Sequence, residues 1–114
     1  MILVVDDEPY ISDSILEMLR HENIAAIQTN RPAEAIELMR KQKFVCVLTD
    51  IAMPSINGIE LAQELRFIRP NIKMICVSGF SEIFEQDLLN AGFDHILPKP
   101  FTYREIVGTV KQYL

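Results

Sequence analysis

Hydrophobic and polar positions along this chain follow two alternating rhythms. Ile2-Leu3-Val4-Val5, Phe44-Val45-Cys46-Val47-Leu48-Thr49 and Ile72 to Val77 are short, mostly apolar runs rich in β-branched residues. Such runs, lacking a polar residue at every second position, read as strands buried on both faces of a sheet. Ile24 to Thr29 is more mixed, with Gln28 and Thr29, and His95-Ile96-Leu97-Pro98 carries a proline. Both read as less buried edge strands, because proline cannot donate to a central ladder.

Between these runs the apolar residues recur at helical spacing. Pro9 opens a helix to His21, with Asp7 as its expected cap and Ile11, Ile15, Met18 and Leu19 as its inner stripe. Pro32 opens a second helix to about Gln42, carrying Ala35, Ile36 and Met39 inward. A third, from Gly58 to Arg69, carries Leu61, Ala62, Leu65 and Ile68 and is stopped by Pro70. Ser81 is the expected cap of a fourth helix, Glu82 to Ala91, closed by Gly92. The last helix, Tyr103 to Leu114, turns Ile106, Val107, Val110 and Leu114 toward the core.

Five strands alternating with five helices imply βαβ units and one α/β domain over residues 1–114, a doubly wound five-stranded parallel sheet. The most apolar strands belong in the centre and the mixed ones at the edges. The order 2-1-3-4-5 with right-handed connections satisfies this. Its winding reverses between the first and third strands, and the crevice at their C-terminal ends is where such sheets bind ligands.

That placement gives the charged residues at the strand ends their meaning. Asp6 and Asp7 follow the first strand, Asp50 the third, Ser78 ends the fourth, and Lys99 follows the fifth. Packed carboxylates repel one another and raise their own pKa values. A divalent cation relieves this, and hard oxygen ligands suit Mg²⁺. Carboxylates, a metal, a hydroxyl and an ammonium around one exposed Asp equip a site for phosphoryl transfer, with Asp50 as the acceptor. Taken singly, each residue has a plainer reading. Asp6-Asp7 suits a helix N-terminus, Asp50 a loop cap, Ser78 a turn, and Lys99 a charge guarding an edge strand. Their joint placement favours the site.

Composition narrows the partners. The 114 residues carry a net charge of -5 and no dense basic cluster, which argues against direct nucleic-acid binding. Cys46 and Cys76 lie inside apolar runs with no metal-ligand spacing, as buried thiols in a reducing compartment do. No apolar stretch approaches the roughly 18 residues of a membrane span. The opening residues lack the basic region of a signal peptide, so a cytoplasmic protein without membrane contact is expected.

The sequence resembles the receiver domains of two-component response regulators, the chemotaxis-regulator-like family, over essentially its whole length. The resemblance is carried by Val4-Val5-Asp6-Asp7-Glu8-Pro9, Asp50-Ile51-Ala52-Met53-Pro54 with Gly58, Val77-Ser78-Gly79, and Leu97-Pro98-Lys99-Pro100-Phe101. It implies a flavodoxin-like (βα)5 fold and a domain that catalyses only its own phosphorylation and dephosphorylation. In that likeness Asp50 takes phosphate from a sensor histidine kinase or phosphotransfer protein. Asp7, Asp50 and the Ala52 carbonyl ligate Mg²⁺ (or Mn²⁺), and Asp6 acts through water. Ser78 bonds the phosphoryl group, Lys99 pairs with it, and the Lys99-Pro100 bond is cis. An output domain or target protein reads the state, and the last helices leave room for a homodimer.

The chain departs from the family pattern at Ile96, where the family usually has an aromatic that swings inward with the Ser or Thr. Output is therefore expected to rely on Phe80 and Phe84 in the loop after the fourth strand. Ala52 and Phe80 offer no polar group to orient an attacking water, which implies a long-lived phosphoryl group, and Gly79 opens space beside it. Two other readings stand beside this one: an aspartyl-phosphate phosphohydrolase, and a degenerate receiver serving as a constitutive docking module.

Overall fold

The computed structural model describes residues 1–50, 58–78 and 85–114, the side chains of 58, 78 and 85–87 excepted. The chain alternates strand and helix throughout: β1 (Ile2–Val5), α1 (Pro9–His21), β2 (Ala26–Thr29), α2 (Pro32–Lys41), β3 (Cys46–Thr49), α3 (Gly58–Ile68), β4 (Lys73–Ser78), α4 (Glu85–Asn90), β5 (His95–Pro98) and α5 (Tyr103–Gln112). All four strand pairings are parallel, and the order is β2-β1-β3-β4-β5. This is the doubly wound parallel sheet that the apolar runs predict and the flavodoxin-like arrangement that the resemblance implies.

Period-two alternation splits the central strands between two cores. Leu3, Val5, Val47, Met74 and Cys76 pack against Ala35 and Met39 of α2, Leu61 and Leu65 of α3, and Leu88 of α4. Ile2, Val4, Leu48, Ile75 and Val77 face Ile15 and Leu19 of α1 and Ile106 and Val110 of α5. β2 and β5 are the less buried edges, as their composition implies. Cys46 and Cys76 belong to opposite cores, so they remain free thiols. Burial pushes each up to about 12.

Local chemistry shifts several boundaries. Ile24 belongs to the stop that follows α1 rather than to the start of β2: Asn23 adopts φ 59, and the Ile24 N–H donates to the Leu19 carbonyl, a left-handed helix stop. Glu8, not Asp7, is the N-cap of α1, and no side chain caps it. Val45, expected inside the strand, stands just ahead of β3 and is 43% exposed, although its N–H and carbonyl still bond to Met1 and Lys73. Leu114 lies beyond the end of α5 and is 63% exposed, whereas Tyr113 packs against the core in its place. Gly92 closes α4 as expected, with φ +101 and the Phe93 N–H bonded to the Leu88 carbonyl. The proposed cap Ser81 lies outside the described residues.

Candidate functional site

Each charged side chain of the site stands one or two residues past a strand end. Asp6 and Asp7 follow β1, Asp50 follows β3, and Lys99 follows β5. β1 and β3 are neighbours with Val5 opposite Thr49, so Asp6 and Asp50 leave the sheet side by side. One carboxylate oxygen from each of Asp6, Asp7 and Asp50 lies within 4.8 Å of the others. Asp50, expected to be exposed, is instead buried at 5% exposure beside Asp6 at 2%, because Lys99 pairs with both and lets them leave water, and Asp7 is half-buried nearer solvent.

Lys99 closes the cluster. Its Nζ donates to Asp6 Oδ2 at 3.3 Å and to Asp50 Oδ2 at 3.1 Å. Burial alone would lower the pKa of this ammonium. The bond and charge of Asp50, joined by those of Asp6, outweigh burial and hold the pKa above the ordinary lysine value. Burial pushes the Asp6 carboxyl above its ordinary value. The Glu8 N–H, donating to Asp6 Oδ1 at 2.9 Å, and the Lys99 charge oppose that push, and the Asp50 charge adds to it. Three carboxylates facing one ammonium leave a surplus of negative charge on an all-oxygen ligand set. That chemistry fits a hard divalent cation such as Mg²⁺.

The main chain of Asp50 is tied on both sides. Its N–H donates to the Val5 carbonyl at 3.0 Å, and its carbonyl accepts the Thr49 hydroxyl at 3.0 Å. The sequence offers a cue to Thr49 that the motif reading passes over: a hydroxyl closing an otherwise apolar run. The Glu8 N–H also belongs to the site. Its cue is the habit of Asp side chains to accept from the backbone two residues on.

The remaining expected residues fall differently. Ser78 ends β4 opposite Pro98 of β5, which puts its backbone on the edge that Lys99 leaves, but its side chain lies outside the described residues, as do Ala52, Gly79, Phe80 and Phe84. The Lys99-Pro100 peptide is cis. Ile96 is half-buried against the core shared by α2, α3 and α4. No helix among the described residues is long and apolar enough to cross a membrane.

The sequence profile of the response regulator receiver domain matches residues 2–111. The transcriptional regulatory protein CpxR homolog of Haemophilus influenzae is 31% identical over 114 residues, covering 99% of this chain and 49% of that protein. Sensor kinase CckA of Brucella abortus is 32% identical over 116 residues, covering 99% of this chain and 12% of that protein. The chain thus spans about half, or less, of the length of the curated relatives it matches. Among solved structures, the response regulator TrrA of Thermotoga maritima in complex with Mg²⁺-BeF aligns with a TM-score of 0.89 and 33% identity, covering 99% of this chain and 97% of that one. On a profile match running nearly end to end and a shared fold, the chain belongs to the response regulator receiver domain family, the phosphoacceptor signalling domains of two-component systems.

Proposed function

We propose that Asp50 is the phosphoacceptor and that its donor is a phosphohistidine on a sensor histidine kinase or phosphotransfer protein. An Asp50 carboxylate oxygen forms the new O–P bond as the donor's P–N bond breaks. The electron pair of that bond stays with the imidazole nitrogen, which takes up a proton. The observation that carries this reading is Lys99 Nζ standing 3.1 Å from Asp50 Oδ2 while it also holds Asp6. A cation so placed neutralises charge where a phosphoryl group would arrive, and most phosphoryl-transfer catalysis is of that kind.

Asp6, Asp7 and Asp50, with the Ala52 carbonyl, would hold Mg²⁺, or Mn²⁺ in its place, Asp6 mainly through water. When bound, the ion neutralises phosphoryl oxygens. Ser78 supplies the hydroxyl that bonds the phosphoryl group and reports it. The modified domain then favours a second conformation, read by an output domain, a target protein or a second copy. The domain catalyses its own modification and turns over no other substrate.

Acetyl phosphate with Mg²⁺ tests the assignment. Near-stoichiometric, alkali-labile label mapping to Asp50, absent in Asp50→Asn and in EDTA, is the expected result. Sustained phosphate release at the initial rate would instead indicate a phosphohydrolase. Label on another residue would move the acceptor.

A further inference from the structure

We infer that Thr49 is a positioning residue for the phosphoacceptor: its hydroxyl, acting through the main chain of Asp50, fixes the direction in which the Asp50 carboxylate leaves the sheet. This rests on Asp50 being the acceptor.

Thr49 is 1% exposed and ends β3 between Val5 of β1 and Cys76 of β4. A hydroxyl buried in such a row is costly unless bonded. Its bond goes to the carbonyl of the very next residue, at 3.0 Å. Threonine is stiff at χ1, so it holds that carbonyl more rigidly than a flexible side chain would.

Asp50 itself lies just past the end of β3. Its N–H is held by Val5 of β1 at 3.0 Å and its carbonyl by Thr49, so the two bonds grip the residue from both sides. Successive side chains of an extended chain point to opposite faces. Thr49 shares its face with Val47, which packs into the α2–α4 core. The hydroxyl therefore acts on the acceptor through the backbone rather than by touching the phosphoryl group. In-line attack is sensitive to such placement: a misplacement of about 1 Å costs on the order of 100-fold in rate.

Valine has threonine's shape without the hydroxyl, and serine keeps the hydroxyl. Labelling of the full chain by acetyl phosphate at saturating Mg²⁺ is measured for Thr49→Val and Thr49→Ser. The plateau rate of the valine variant is expected to fall roughly tenfold with the half-saturating donor concentration unchanged, and serine to recover it to within about twofold. Thr49→Ala removes the same hydroxyl and is expected to behave like valine, so a folding defect in one variant leaves the comparison intact. The carbonyl-carbon NMR resonance of Asp50, read without donor, should move in the variants lacking the hydroxyl and return in Thr49→Ser. An unchanged plateau rate, failure of serine to restore it, or an unmoved Asp50 carbonyl resonance overturns the inference. If wild type takes no label at Asp50, the acceptor assignment fails instead, and the resonance still decides whether Thr49 holds Asp50.

Discussion

Lys99 carries the charge that lets Asp6 and Asp50 stand together almost out of water. Replacing it with methionine keeps the aliphatic stem but leaves two buried carboxylates facing each other. Lys99→Met should lose roughly 1–3 kcal/mol in urea denaturation with EDTA present. Added Mg²⁺ should return part of that loss, because a cation bound to the same carboxylates stabilises only the folded chain. Unchanged stability in EDTA would show that the ion pairs contribute nothing net. The thiols make a separate prediction at the same scale. Cys46 and Cys76 each move from an ordinary 9.0 to about 12 through burial. The unfolded chain therefore releases these protons first as pH climbs past 9. Stability that is intact below pH 9 drains away between 9 and 12, by about 1.4 kcal/mol per pH unit for each thiol. Cys76→Ala should show a loss between pH 8 and pH 10 smaller than that of wild type by about 1.4 kcal/mol. Equal losses would place the alkaline sensitivity elsewhere.

Element ends are where the sequence is hardest to read. A stripe such as Leu61, Ala62 and Leu65 announces α3, because burying one face is what the helix is for. The stop of α1 depends instead on one residue accepting a left-handed backbone. Asn23 does so at φ 59, and an asparagine inside a polar stretch gives little warning. Gly92 gives more, since glycine adopts that geometry without penalty. Thr102 and Glu105 form a capping box at the start of α5, a signature that is plain in the sequence once the helix start is known. Gly92 separates the steric from the conformational cost of such a stop. A Cβ built there meets only Met74 Cε, at the ordinary distance of 3.8 Å. Gly92→Ala should thus cost about 1–2 kcal/mol through its backbone angle alone. Asn23→Gly should cost nothing or slightly stabilise. Thermal melts of the two variants check the pair, and a larger loss at Asn23 than at Gly92 would contradict the argument.

At the scale of the molecule, strand order was legible because burial is graded: continuous apolar runs must be central, and β2 and β5 show their edge positions by composition. Once β1 and β3 are neighbours, the convergence of Asp6, Asp7 and Asp50 follows from where the runs end. Thr49 stands outside every motif because its bond is to the backbone, which motifs do not record. The same core packing bears on how phosphorylation is read out. Ile96 is half-buried against the α2–α4 core, so driving it to solvent forfeits part of the roughly 1.5–3 kcal/mol that full burial of an isoleucine is worth. A tyrosine at that position would have a hydroxyl to present to water and a ring to bury, so two positions of similar energy are open to it. Isoleucine lacks that choice, which is the ground for expecting the relay to run through Phe80 and Phe84 instead. Beryllofluoride with Mg²⁺, added as an acyl-phosphate mimic, should therefore shift the aromatic resonances of Phe80 and Phe84 while the Ile96 methyl signals stay near their unmodified positions. Movement of Ile96 with both phenylalanines unmoved would return the relay to β5.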